Sequence, residues 1–157
     1  MERVPGDTNY LVASVDSRDT WHTRAAMLSQ SLKAANVKIW TFDICVAEAA
    51  SVIARRCEEQ RRQFALPGLI QGLLALFEPT GLMWTSDRFT RLFQNSIELL
   101  LESRGALNFN DALIALVCQE AGGSPIISFD RDFDAIPWLH RIHDQDSLAA
   151  ALQADPS

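Results

Sequence analysis

Apolar positions along the chain form short β-rich runs separated by longer stretches with helical spacing. Val4 leads into Asp7-Thr8-Asn9, after which Tyr10-Leu11-Val12-Ala13 starts a short helix. Asp19 or Thr20 is placed to cap a second helix over about 21–35. Val37 to Phe42 is short and β-rich, which predicts a strand. A helical pattern runs from Asp43 to Cys57 and resumes from Glu58 to Phe77. An interruption is expected near Pro67-Gly68, where proline removes a helical donor. Leu82 to Thr85 reads as a strand after the turn Pro79-Thr80-Gly81. Ser86 or Asp87 then caps a helix to about Ser103, with Phe89, Leu92, Phe93, Ser96 and Leu100 near one face. Asn110 is expected to cap a helix from Asp111 to Ala121, stopped by Gly122-Gly123. Pro125 to Ser128 is a further strand, followed by a polar turn, a short helical segment, an edge strand over Arg141 to His143 and a helix over about 146–153.

Short strands alternating with helices predict an α/β domain with a short, mainly parallel sheet. With 157 residues and no repeat or linker, one domain spans 1–157, its core over about 3–143. A hydrophobic fraction of 48% supplies that core without staples. Cys45, Cys57 and Cys118 form no CxxC pair and are odd in number, so they are read as buried small hydrophobes. No apolar run stands behind a basic start, so no signal peptide is expected. The most apolar stretch, Leu66 to Phe77, is too short to span a bilayer. A cytoplasmic protein with no membrane partner is the expectation.

Net charge is −6, which at first sight opposes a nucleic-acid partner. Twelve of the 14 basic residues are arginine, however, and four crowd together as Arg55, Arg56, Arg61 and Arg62. A site that gathers carboxylates for a metal is acidic whatever its substrate, so charge decides nothing. His22, His140 and His143 have no metal-ligand spacing, and packing accounts for Trp21, Trp40, Trp84 and Trp138.

The carboxylates are more informative. In parallel sheets the functional crevice lies at the carboxyl ends of strands. Asp7 and Asp130 both follow strands. Glu48 interrupts an apolar helical stripe of Ile44, Cys45 and Val52, and Asp111 shares a face with Ile114, Ala115 and Cys118. A buried carboxylate costs several kcal/mol, of order, unless something compensates it. Each acid has an ordinary alternative: a turn or cap for Asp7 and Asp130, the helix dipole for Asp111, and Arg55 or Arg56 reaching back for Glu48. Convergence of two strand ends and two inward helix faces on one crevice is what favours a shared site.

The same residues carry a family resemblance. Asp7-Thr8-Asn9-Tyr10-Leu11-Val12-Ala13 resembles the opening motif of PIN domains, and Asp19 to Ala26 is similar to the segment that follows it. Ala47-Glu48-Ala49 falls at the family's helical glutamate. Leu107-Asn108-Phe109-Asn110-Asp111-Ala112-Leu113-Ile114-Ala115, followed by Ile126 to Asp134, is the strongest match. The approach to Asp7, Arg3-Val4-Pro5-Gly6, departs from the family's aliphatic run and suggests a weakened first strand. The resemblance covers nearly the whole chain and is greatest to VapC-type toxins of toxin–antitoxin pairs. It implies a PIN-like three-layer α/β/α fold and a metal-dependent endoribonuclease. Asp7, Glu48, Asp111 and Asp130 are then catalytic and metal-binding residues, with Asp132 as an auxiliary or alternative fourth acid. Thr8, Asn9 and Ser128 would orient ligands or substrate, and Arg55, Arg56 and Arg131 would contact the RNA backbone. An all-oxygen cluster selects Mg²⁺ or Mn²⁺ over zinc. A homodimer and a small antitoxin partner are further implications. The alternatives are a non-catalytic PIN-like module binding RNA or protein, a metal-dependent DNase, and a phosphohydrolase with Asp7 as nucleophile. The last would want an aspartate where Asn9 stands.

Overall fold

The computed structural model describes residues 1–77, 81–122 and 125–154. Five strands, β1 (Arg3–Gly6), β2 (Lys38–Phe42), β3 (Leu82–Met83), β4 (Ile126–Ile127) and β5 (Arg141–Ile142), form one parallel sheet in the order β3-β2-β1-β4-β5. The described residues also form seven helices: α1 (Thr8–Val15), α2 (His22–Ala34), α3 (Asp43–Glu59), α4 (Leu66–Leu74), α5 (Ser86–Glu102), α6 (Phe109–Glu120) and α7 (Gln145–Ala154). The three-layer α/β/α fold expected from the sequence is therefore present. Helices α1, α3 and α4 pack on one another, as do α5 and α6. Val4, Phe42, Ile126 and Ile127 on the strands are fully buried together with Leu11, Ile53, Leu113 and Ile114 on the helices, as a parallel sheet covered on both faces requires.

Strand β1 is central, although it contains a proline. Backbone N–H groups alternate sides along a strand, and that of Asp7 donates to Ile127 on the β4 side at 2.9 Å. Pro5, two residues earlier, faces the same side, so the donor it lacks is missing from the β4 ladder. Accordingly β1 pairs four residues with β2 but only Gly6 with β4. The weakening expected of the first strand is thus confined to one seam. Gly6 is needed for a second reason: a Cβ there would sit 2.9 Å from the buried Tyr10 ring.

Several local expectations are corrected. Helix α1 begins at Thr8 rather than Tyr10, because Asp7 itself caps it. Neither Asp19 nor Thr20 is the cap of α2. Trp21 holds that position, and the Asp19 carboxylate accepts its N–H at 2.7 Å. Pro67 does not interrupt a helix; it lies in the first turn of α4, where its missing N–H costs nothing. The break comes earlier, at Gln60 to Arg62. Thr85, not Ser86 or Asp87, precedes α5. Asn108 rather than Asn110 caps α6, in a capping box with Asp111. Gly122 ends α6 at φ +97 as expected, while Pro79, Thr80 and Gly123 lie outside the described residues. All three cysteines are buried. Packing accounts for Trp40 but not for Trp84, which is 62% exposed, nor fully for Trp21, at 38%.

Candidate functional site

In the order β3-β2-β1-β4-β5 the chain reverses direction across the sheet between β1 and β4, and ligands of open α/β sheets bind outside the strand ends at such a switch point. Asp7 follows β1 there, and Ser128 to Asp130 follow β4. Asp7 is 4% exposed. One of its oxygens accepts the Thr8 N–H at 2.6 Å and the other the Ser128 hydroxyl at 2.8 Å. The Ser128 oxygen in turn accepts the Asp130 N–H at 3.0 Å and the Asn9 amide at 3.1 Å. The Asn9 carbonyl accepts the Phe129 N–H at 2.9 Å. From the other side the Thr8 hydroxyl donates to Glu48 at 3.1 Å. Three polar residues named from the sequence therefore wire Asp7, Glu48 and Asp130 into one network across β1, β4 and α3.

Asp111 joins by charge rather than by hydrogen bond. One of its oxygens accepts the Asn108 N–H at 3.2 Å, while the Asn108 side chain accepts the Asp111 N–H at 3.0 Å. Its ordinary helix-start role is thus real. Burial nevertheless pushes its carboxyl up to about 7, and the charges of Asp7, Asp130 and Glu48 push the same way. The Asp7 carboxyl is pushed up to about 6, first by burial and then by Glu48 and Asp130, against the Ser128 and Thr8 hydrogen bonds that lower it. All four acids enter one electrostatic field. Asp130 is partly buried and also caps the 3-10 turn Arg131–Ala135 through the Asp132 N–H at 2.9 Å; Asp132 itself is exposed on that turn.

Among the described residues no three His, Cys, Asp or Glu side chains already stand in a metal-holding arrangement. The donor chemistry still fits a hard cation. Glu48 and Asp130 act by charge on Asp7, all three act on Asp111, and Asp7 and Asp111 retain protons well above the usual carboxylate range. The arginines expected nearby are engaged elsewhere. Arg56 pairs with Asp19, not Glu48, and Arg55 lies 3.9 Å from Glu59 on an exposed face. Arg62 is not on a solvated face: it is 5% exposed and bonds both oxygens of buried Asp16. Arg61 and Arg131 are exposed.

The structure also adds residues that sequence reasoning did not single out. The Cys45 thiol lies 3.9 Å from an Asp7 oxygen, and burial followed by the Asp7 charge pushes its pKa well up, so it is an inert floor. Asp43 directly follows β2, a position that was itself a usable signal. Thr85 ties it down through its N–H at 3.0 Å and hydroxyl at 2.7 Å. Of the histidines, His22 contacts the Ala13 carbonyl at 2.7 Å and His143 lies 3.3 Å from Asp144.

The sequence matches the family profile described as PIN domain over residues 7–139. Nothing among curated proteins matches it. Among solved structures, the chain is similar to one in the crystal structure of VapBC2 from Rickettsia felis bound to a DNA fragment from their promoter. The two share 18% identity at a TM-score of 0.63, over 89% of this chain and 97% of that one. At that identity the likeness is one of fold.

Proposed function

The chain belongs to the PIN-domain family, and from that premise we propose that it is an endoribonuclease dependent on Mg²⁺ or Mn²⁺, the toxin of a VapBC-type toxin–antitoxin pair. The observation that carries this reading is the shared field of Asp7, Glu48, Asp111 and Asp130 at the β1/β4 edge, with Asp7 at about 6 and Asp111 at about 7. These residues would hold the metal. Bound there, it would lower the pKa of a water and offset charge on the scissile phosphate. The remaining work falls to the protein. Ser128 and the Thr8 N–H fix both oxygens of Asp7, the Thr8 hydroxyl fixes Glu48, and Asn9 anchors the backbone that leads to Asp130. Exposed Arg131, beside Asp130, and exposed Arg55 are the proposed contacts to the RNA backbone.

Purified protein incubated with a mixed RNA pool is expected to cleave it when Mg²⁺ or Mn²⁺ is added. Asp111→Asn should lower the rate at least a hundredfold, on the order of 3 kcal/mol of transition-state stabilisation. Equal activity in both proteins would sink the assignment. Metal binding without cleavage would favour a non-catalytic module, and preference for a DNA pool would favour a DNase. A homodimer and a small antitoxin belong to the same proposal. Supporting them, Trp84, Phe89, Phe93 and Leu101 are exposed, with Phe89, Phe93 and Phe109 in mutual ring contact. Sedimentation of the purified chain tests the dimer. No helix among the described residues is long and apolar enough to cross a membrane; the cytoplasmic setting belongs to the same proposal.

A further inference from the structure

Phe129 stands between Ser128 and Asp130, two members of the carboxylate network. Its ring stacks on Trp21 with centroids 5.3 Å apart and planes within 18°. Phe129 is buried, but Trp21 remains 38% exposed. The Arg24 guanidinium lies over the Trp21 ring, 5.0 Å from its centroid. Beside them opens a cavity of about 400 Å³ lined by Trp21, Arg24, exposed Met27, Leu28 and Asp144. That volume is in the range of small-ligand sites, roughly 300–1,000 Å³. The Trp21 backbone is also braced. Asp19 accepts the Trp21 backbone N–H with one oxygen and the Arg56 guanidinium with the other. An accessible indole on a fixed aromatic floor, a cation over it and a cavity alongside match what single-stranded nucleic acid requires: a π-face for a base and a positive group for its phosphate.

We propose that Trp21 and Arg24 seat one unpaired nucleobase of the RNA and its phosphate, and so set the register of the strand over the carboxylates. The proposal rests on the ribonuclease reading for the identity of the strand. Trp21 carries the base on its exposed part, with Phe129 as the floor. Arg24, which lies over the Trp21 ring in the free protein, binds the phosphate.

The test is anisotropy of a dye-labelled, mixed-sequence RNA hexamer in Mg²⁺ buffer, with every protein carrying Asp111→Asn to remove cleavage. Trp21→Ala should weaken binding about tenfold, within the range of one stacked base, and Trp21→Phe should retain it within about threefold. Arg24→Ala should reduce the slope of log Kd against log salt by about 0.7, the share of one phosphate on a single strand. A blunt-ended, fully paired RNA duplex should show no dependence on Trp21. In otherwise unmodified enzyme, Trp21→Ala should raise KM about tenfold and change kcat less than threefold. Equal hexamer affinity in Trp21→Ala, or equal dependence on Trp21 for duplex and hexamer, overturns the seat. Cleavage by the unmodified enzyme together with that indifference overturns the seat alone. Binding that depends on Trp21, with no cleavage of any RNA by the unmodified enzyme, supports the seat and removes the ribonuclease reading.

Discussion

Helix α1 has a buried aspartate at each end, and the two are treated in opposite ways. Asp16 closes the C-terminus at 1% exposure, the less favourable end of the dipole for an acid. There both oxygens are held by Arg62, which keeps its carboxyl below the usual range despite burial. Asp7 opens the N-terminus at 4% exposure, the favourable end, yet its carboxyl rises to about 6. Eight residues separate one charge the protein has compensated from one that it has not. Burial alone therefore does not set Asp7 apart from Asp16; burial without a cation does.

The largest effect expected from disturbing this contrast is at the compensated end. Arg62→Ala leaves Asp16 buried and unpaired and should cost about 3–5 kcal/mol, measured by urea denaturation. The apolar double substitution Asp16→Leu with Arg62→Met should recover most of that loss. A cost below about 1 kcal/mol for Arg62→Ala would mean that the pair is not the anchor its geometry indicates.

At the uncompensated end the sign reverses. Asp7→Asn retains a good helix cap and removes a disfavoured charge. It should stabilise metal-free protein at pH 7.5 by about 1–3 kcal/mol while abolishing RNA cleavage. Destabilisation at that pH would refute the contrast.

A pH series tests the same point without mutation. The folded state holds the Asp7 and Asp111 protons to about 6 and 7, whereas the unfolded chain releases them near 3.8. Between those limits the native state binds more protons, so metal-free stability should fall as pH rises from about 4 through 7 and then level off. The fall between pH 5 and 7.5 should be about 1–3 kcal/mol. Asp16 contributes in the opposite sense and lower down. Its depressed pKa gives stability that is present above about 4 and lost as pH falls through the folded value. Mn²⁺ should raise Tm at pH 7.5 more than at pH 5, and equal shifts would argue that the ion binds elsewhere.

The smallest expected effect is at Asn108. Asn108→Ala removes half the capping box and should cost about 1 kcal/mol by the same denaturation assay. Any larger loss of cleavage would show that the box also aims Asp111.

How much of this was legible in the sequence depended on the range of the interaction involved. The succession of strands and helices along the chain and the acids at strand ends followed from local spacing, because each element is short and bounded by turn residues. Asn108 was within reach too: its partner Asp111 stands three residues on, which Asn110 cannot match. Arg62 was not. Nothing local distinguishes it from exposed Arg61, and its partner Asp16 lies 46 residues away. Trp21 was hidden for the same reason, since Phe129, on which it stacks, belongs to the far end of the chain.

The seam that Pro5 leaves between β1 and β4 has a consequence in time. Asp7 and Glu48 belong to the half of the sheet made first, and Asp130 to the half that crosses the seam last. While the ribosome is still producing residues before β4, the acids of the first half have no Ser128 and no Asp130 to meet. A nascent chain therefore emerges with this group of carboxylates unassembled, and Asp7 and Glu48 meet Asp130 only when synthesis nears its end.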